Sequence, residues 1–223
     1  MNSSIKYIIS LEGNIGAGKS SFLKILKQNL SDKAEFIDEP VEEWLQIKNN
    51  NNQNLLEVFY QDKKRWAYTF QNIAYITRMK RIIDTMQNTT KSIIFMDRSL
   101  EGDLNTFTKM LKEEGDIDDL EWAAYKKWNT MFTDLIGKNI QTKHIYLRCT
   151  PEIAYSRINK RARDEEHNIP FEYIKQLHLY HDNWLLNNTS SYIIDVNKDF
   201  VYDEKNKDIV YQLILNTLGH ILN

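Results

Sequence analysis

Cysteine is almost absent from this chain. Cys149 is the only one in 223 residues, so no internal disulfide can form. It closes the apolar run His144 to Cys149, which points to a buried, reduced thiol rather than a nucleophile, and to a reducing compartment. An excess of one charge is also lacking. With 29 Lys and Arg against 31 Asp and Glu, and a formal net charge of −2, the chain has no surplus of positive charge for a nucleic-acid surface as its main business. No apolar run approaches the length of a membrane span, and the first expected strand starts too close to Met1 to leave space for a signal or transit peptide. The expectation is a protein made and used in the cytoplasm, without membrane or nucleic acid among its partners. Internal repeats and linkers are missing too. The one low-complexity stretch, the asparagine-rich segment 48–54, reads as a polar loop with nothing to bury. One domain spanning 1–223 is expected, and 42% apolar residues suffice for its core.

What is present begins with a phosphate-binding signature. Gly13, Asn14, Ile15, Gly16, Ala17, Gly18, Lys19 and Ser20 complete the pattern G-x-x-x-x-G-K-[ST], followed by Ser21. The context is right for it. Ile5 to Leu11 is apolar and β-branched, as a buried parallel strand should be, and Phe22, Leu23, Ile25, Leu26 and Leu30 follow at helical spacing. Backbone N–H groups and the helix N-terminus attract phosphates, Lys19 adds a mobile charge, and Ser20 offers a hydroxyl to Mg2+. A nucleoside triphosphate is the implied ligand.

Further strands are expected at Glu35–Asp38, Ser92–Met96, His144–Cys149 and Tyr192–Val196. Helices are expected at Lys19–Leu30, Leu55–Gln87, Leu100–Lys112, Leu120–Ile136, Pro151–Lys160, Pro170–Leu186 and Lys205–Leu222. Such alternation predicts an α/β, three-layer phosphate-loop fold, a five-stranded parallel sheet with helices on both faces.

A phosphate loop alone leaves the class open. A guanine switch would need Asn-Lys-x-Asp after a strand, whereas Val196 is followed by Asn197-Lys198-Asp199-Phe200, with the wrong spacing. Nucleic-acid motors need more sequence and basic surface. A small-molecule phosphotransferase fits better. Parallel sheets place their sites beyond the carboxyl ends of the strands, and the second and third expected strands run into Asp38-Glu39-Pro40 and Met96-Asp97-Arg98-Ser99. Two carboxylates thus reach the rim of the phosphate loop. One could hold Mg2+ and the other take a proton from an attacking hydroxyl; either could instead cap a helix. Arg157, Lys160, Arg161 and Arg163 lead into Asp164-Glu165-Glu166, and Arg157 and Arg161 share a helix side. A solvated face or an arginine lid over about 157–169 would both produce that pattern.

Several motifs then collect in order. Glu12-Gly13-Asn14-Ile15-Gly16-Ala17-Gly18-Lys19-Ser20, Glu39-Pro40-Val41-x-x-Trp44, Trp66-Ala67-Tyr68-Thr69-Phe70-Gln71, Asp97-Arg98-Ser99 and Arg157-x-x-x-Arg161-Ala162-Arg163-Asp164-Glu165-Glu166 resemble the deoxyribonucleoside kinase family that includes deoxycytidine and deoxyguanosine kinases. Ile169-Pro170-x-Glu172-Tyr173, His178, Trp184 and Asp195-Val196-Asn197-x-Asp199-Phe200 extend the match almost end to end.

That resemblance implies transfer of the terminal phosphoryl group of ATP or another NTP to the 5′-hydroxyl of a deoxynucleoside. It implies Glu39 as general base, Arg98 orienting the hydroxyl, Lys19 on the phosphates, and Ser20 with Asp97 serving Mg2+. The family commonly has glutamate where Asp97 stands. Arg157, Arg161 and Arg163 would form the lid, Arg157 and Phe200 would sandwich the donor base beside Asp199, and Tyr60 and Glu166 would meet the sugar 3′-hydroxyl. The nucleobase would lie between Phe107 and the wall of Ile15, Trp44, Leu56, Phe59 and Phe70, read by Gln71. A carboxamide can serve every base by flipping, so Gln71 alone names none. Arg78 and Asp103, with Ala74 one turn before Arg78, follow the deoxycytidine and deoxyguanosine branch, which implies deoxycytidine and purine deoxynucleosides ahead of thymidine. The aromatic helix with Trp122, Tyr125, Trp128 and Phe132 carries more apolar surface than one sheet face covers, and the family is dimeric, so a homodimer is expected. A nucleoside monophosphate kinase and a non-catalytic nucleotide sensor are the alternative readings.

Overall fold

The computed structural model describes residues 4–136, 139–161 and 169–222. The strands β1 (Tyr7–Glu12), β2 (Ala34–Ile37), β3 (Ile93–Asp97), β4 (Gln141–Arg148) and β5 (Ser191–Asp195) form one sheet in the order β2-β3-β1-β4-β5. Every pairing is parallel. Buried runs such as Ile8, Ile9 and Leu11, or Ile93 to Met96, explain this, because both faces are covered. On one face α1 (Lys19–Leu30), α8 (Pro151–Arg161), α9 (Phe171–Leu185) and α10 (Glu204–Leu222) enclose a core built on Phe22, Leu26, Phe95, Leu147, Leu177 and Leu218. On the other, α4 (Lys63–Asn88) and α7 (Asp119–Ile136) bury Tyr75, Met79, Ile82 and Tyr125 against Ile8, Ile94 and Met96.

Several elements differ from the sequence reading. β4 starts earlier, because the polar residues Gln141, Thr142 and Lys143 pair with Tyr7, Ile8 and Ile9 and carry no apolar signal. The helix expected over Leu55–Gln87 is two helices, α3 (Leu55–Gln61) and α4. Asp62 breaks it with φ −143° and accepts from the N–H of Arg65 at 3.1 Å, since a short carboxylate favours a cap over a helix interior. A short helix α2 (Val41–Gln46) follows Pro40, where none was expected. The asparagine-rich loop is put to use: Lys48 and Asn54 form an antiparallel bridge, and Asn54 and Glu57 make a reciprocal capping box at the start of α3. The helix expected at Leu100–Lys112 is α5 (Leu100–Gly102), a π-helical segment (Asp103–Thr108) and α6 (Lys109–Glu113). Such widened turns are frequent at functional sites.

The aromatic helix with Trp122, Tyr125, Trp128 and Phe132 is α7. Most of its rings turn inward: Tyr125 is buried edge-on against Tyr75 at 5.6 Å, and Phe132 lies 5.8 Å from the same ring. The apolar side chains left exposed on α7 are Leu120, Trp128, Met131 and Leu135. Among the described residues, no helix is long and apolar enough to cross a membrane.

Candidate active site

The phosphate loop turns from β1 into α1 at the centre of the sheet, where strand order reverses. Its glycines are there for two reasons. Gly18 caps α1 with φ 94°, and a Cβ at Gly16, itself at φ 82°, would lie 2.3 Å from the carbonyl oxygen of Ala154. Asn14 works as a structural tie rather than an open ligand group. Buried, it donates from Nδ2 to the carbonyl of Ile174 on α9 at 2.8 Å and accepts from the N–H of Ile15. Lys19 folds back over the loop, donating to the carbonyls of Gly13 (3.0 Å) and Asn14 (2.9 Å). Burial, helped by Arg98, pulls its ammonium down to about 8.

The lowered value carries an expected pH dependence, should a triphosphate occupy the loop. An anion in the cradle raises the lysine above its free-protein value, so binding takes up a proton, and affinity is full below about pH 8 and declines above it. Calorimetry with a triphosphate at pH 8.5 in buffers of different ionisation enthalpy should show proton uptake; release would contradict this.

Among the described residues, two cavities border the loop. The first, of about 200 Å³, is lined by Ile15, Lys19, Ser20, Glu39, Trp44, Leu56, Phe59, Tyr60, Phe70, Gln71, Ala74, Arg78, Arg98, Asp103 and Phe107. The second, of about 460 Å³, is lined by Arg157, Lys160, Asn197, Asp199 and Tyr202. Gly16, Gly18, Ser21 and Arg161 line both. Gly13 and Ala17, both buried, line neither of these cavities. Val41, Lys24 and Tyr173 also line the first cavity and were not expected there.

The apolar end of the first cavity is built by rings from α2, α3 and α4. Phe59 stacks on Phe70 at 4.6 Å, and Trp44 meets Phe70 edge-on at 5.3 Å. Buried Gln71 accepts from the Thr108 hydroxyl at 3.1 Å. The opposite end is charged. Arg78, 1% exposed, donates from Nη1 to Asp103 and from Nη2 to Glu39 at 2.9 Å. Burial opposes its charge, but Asp103 and Glu39 outweigh that and hold it above the usual guanidinium value. Burial likewise pushes Asp103 above the usual carboxylate range despite Arg78. The tie between Glu39 and Arg78 joins the two pairs of residues that the sequence reading kept apart.

Arg98 is buried and held on several sides. Its backbone adopts φ 68°, a left-handed conformation costly for a side-chain-bearing residue. The turn is braced by Glu12, which accepts from the N–H (2.8 Å) and hydroxyl (2.6 Å) of Ser99. The guanidinium lies 4.3 Å from the centre of the Phe107 ring, with Nε 3.6 Å from Glu39. Beneath it the Ser20 hydroxyl donates to Asp97 Oδ2 at 2.5 Å, while Asp97 Oδ1 is buried without a partner. Burial, with Glu39 close by, raises the Asp97 carboxyl above its ordinary value. A buried carboxylate oxygen with no donor, beside a hydroxyl and the phosphate loop, fits the hard-oxygen chemistry that Mg2+ requires.

Phe200, expected beside the donor base, lies against the phosphate loop. Phe200 has no exposed face for a base to lie on. It packs edge-on against Phe22 at 5.8 Å and fills the space over Gly18, where an added Cβ would lie 2.5 Å from its ring. Arg157 already sits 6.0 Å from the centre of the Phe200 ring, too close for a base between them at ordinary stacking separations. Its Nη2 donates to the carbonyls of Val196 (2.8 Å) and Lys198 (3.0 Å), and Nη1 is buried without a partner. Asp199 accepts from the N–H groups of Tyr202 and Val201, which hold its carboxyl below the ordinary range. Exposed Tyr202 is the aromatic residue lining that cavity. Arg163 and Glu166 lie outside the described residues.

A family model described as deoxynucleoside kinase matches residues 9–219. The chain belongs to the deoxynucleoside kinase family. It is 33% identical to the deoxycytidine kinase of Mus musculus over 94% of this chain and 91% of that protein. It is 36% identical to a probable deoxycytidine kinase of fowlpox virus over 96% and 88%. It is 32% identical to a mitochondrial deoxyguanosine kinase of Xenopus laevis over 82% and 74%.

Proposed function

We propose that this deoxynucleoside kinase transfers the terminal phosphoryl group of ATP or another NTP to the 5′-hydroxyl of a deoxynucleoside, with deoxycytidine and purine deoxynucleosides favoured over thymidine. The observation that carries this reading is the shared wall. Gly16, Gly18, Ser21 and Arg161 border both cavities, so a triphosphate entering from one side meets a hydroxyl presented from the other. The acceptor occupies the first cavity, its base against Phe59, Phe70, Phe107 and Gln71, and its 5′-hydroxyl facing Glu39 and Arg98. Tyr60 takes the 3′-hydroxyl.

Glu39 removes the hydroxyl proton as the new bond to phosphorus forms, and Arg98 aligns the oxygen. Lys19 leaves the Gly13 and Asn14 carbonyls for the phosphates, and Arg161, with Arg163, answers the spreading negative charge. Ser20 and Asp97 are the residues that would hold Mg2+, which when bound neutralises charge on the donor phosphates. The donor base rests in the second cavity beside Tyr202 and Asp199 rather than on Phe200.

Arg78 and Asp103 set the base preference. The pair fills space beside the ring and can bond an exocyclic amine; a base that leaves it unsatisfied loses relative to one that does not. Measuring kcat/KM for the four natural deoxynucleosides tests both acceptor class and preference. Deoxycytidine should exceed thymidine by about tenfold or more, the scale of one buried polar contact; a thymidine preference refutes the assignment. A nucleoside monophosphate acceptor is disfavoured because Arg78 and Arg98 already face carboxylates.

The exposed apolar side chains of α7, with Ile76 on α4, make this face the site of a homodimer contact in this reading. Sedimentation should give the mass of two chains, and a monomer at micromolar concentration would contradict it.

A further inference from the structure

We propose that His181 is a positioning residue that sets the orientation of the Arg98 guanidinium through one defined tautomer. The inference rests on the reading of Arg98 as the group that aligns the acceptor hydroxyl. His181 lies on α9 with no exposed surface and does not itself line the first cavity; it sits behind the lining residues Arg98 and Phe107. Its Nδ1 is 2.6 Å from the carbonyl oxygen of Leu177, one helical turn back. A carbonyl oxygen only accepts, so Nδ1 carries the proton. Burial and the neighbouring Arg98 hold the imidazole well below its ordinary value, so the ring is neutral and Nε2 keeps its lone pair.

That lone pair meets Nη1 of Arg98 at 3.4 Å, and a guanidinium can only donate. The ring cannot swing away. It stacks on Tyr146 with centroids 6.0 Å apart and meets Phe107 edge-on at 6.0 Å. Phe107 in turn lies 4.3 Å from the guanidinium carbon. The Gly13 carbonyl accepts from the same Nη1 at 3.4 Å, and Glu39 lies 3.6 Å from Nε. His181 therefore supplies a side-chain acceptor that, together with the Gly13 carbonyl, fixes the roll of the guanidinium and keeps Nε turned toward Glu39. A core histidine kept only for packing would need neither a determined tautomer nor a cation against its one lone pair.

Two measurements separate these roles. Heteronuclear NMR of the wild-type imidazoles should show His181 neutral with the proton on Nδ1 from pH 6 to 8; a proton on Nε2, or an imidazolium, in that range overturns the proposal. For kinetics, wild type, H181F, R98A and the double variant are compared after melting curves establish that each is folded. H181F should lower kcat about tenfold with the donor KM unchanged, the scale of a misaligned catalytic group, and should cost less than about twofold in the R98A background. Full kcat in H181F, or the same loss in both backgrounds, contradicts the proposal. Should the wild type phosphorylate no deoxynucleoside, the role given to Arg98 fails, and NMR still decides the hydrogen bond on its own.

Discussion

Replacing Glu39 with glutamine lowers kcat by about 10²- to 10⁴-fold while the protein stays folded, the usual scale for loss of a general base. The expectation follows from geometry as well as chemistry. Glu39 lines the first cavity beside the phosphate loop, at the end of β2, and its Oε1 accepts from Arg78 Nη2 at 2.9 Å. Glutamine has the same shape, and its amide oxygen can keep the bond to Arg78, so the arginine is not left stranded. What disappears is the capacity to take a proton. The effect should fall on kcat, with the acceptor KM changed little, because the loss is felt mainly as the proton leaves the hydroxyl. Steady-state kinetics on E39Q with an unchanged melting curve checks this, and near-full turnover would remove Glu39 from the role.

Replacing Arg78 with methionine destabilises the fold by about 3–5 kcal/mol, the cost of stranding a buried ionic partner. In a chain of this size that is a fall in melting temperature of roughly 6–20 °C. Arg78 is the shared counter-charge of Asp103, 4% exposed, and Glu39, 26% exposed. Removing it leaves two carboxylates facing one site. The pH dependence has a definite sign. Burial already sets Asp103 above its unfolded value, and loss of Arg78 raises it further, so the folded variant binds the extra proton. Stability contributed by that proton is present at low pH and lost as pH rises through the folded value. The R78M deficit should therefore shrink between pH 8 and pH 5.5. Melting curves at the two pH values check it; identical deficits, or none, would show that the pair carries no such charge.

How much of this was legible in the chain depended on how local each cause is. The phosphate loop and α1 were readable to the residue, since glycine turns and the Phe22-to-Leu30 spacing are written in consecutive positions. Buried parallel strands announced themselves as β-branched runs, whereas the polar start of β4 did not, because pairing rather than burial extends it. The break at Asp62 hid inside an apolar helical pattern that continues across it. The gathering of Trp44, Phe59, Phe70, Gln71, Phe107, Arg78 and Asp103 in one cavity followed from the family pattern. The tie between Glu39 and Arg78, 39 positions apart, did not. Nor did His181, whose meaning depends on where α9 passes Arg98. The burial of Phe200 was hidden for the same reason: its sequence context says nothing about the space over Gly18 that it fills.

The central claim is that a hydroxyl in the first cavity attacks the terminal phosphorus of a triphosphate held by the loop. It is tested most directly by incubating the protein with deoxycytidine and NTP labelled in the terminal phosphate, then locating the label. Label recovered on the 5′-oxygen of deoxycytidine monophosphate, dependent on Glu39, is the result expected. Label released only as inorganic phosphate, or placed on another position of the nucleoside, would contradict the arrangement described here.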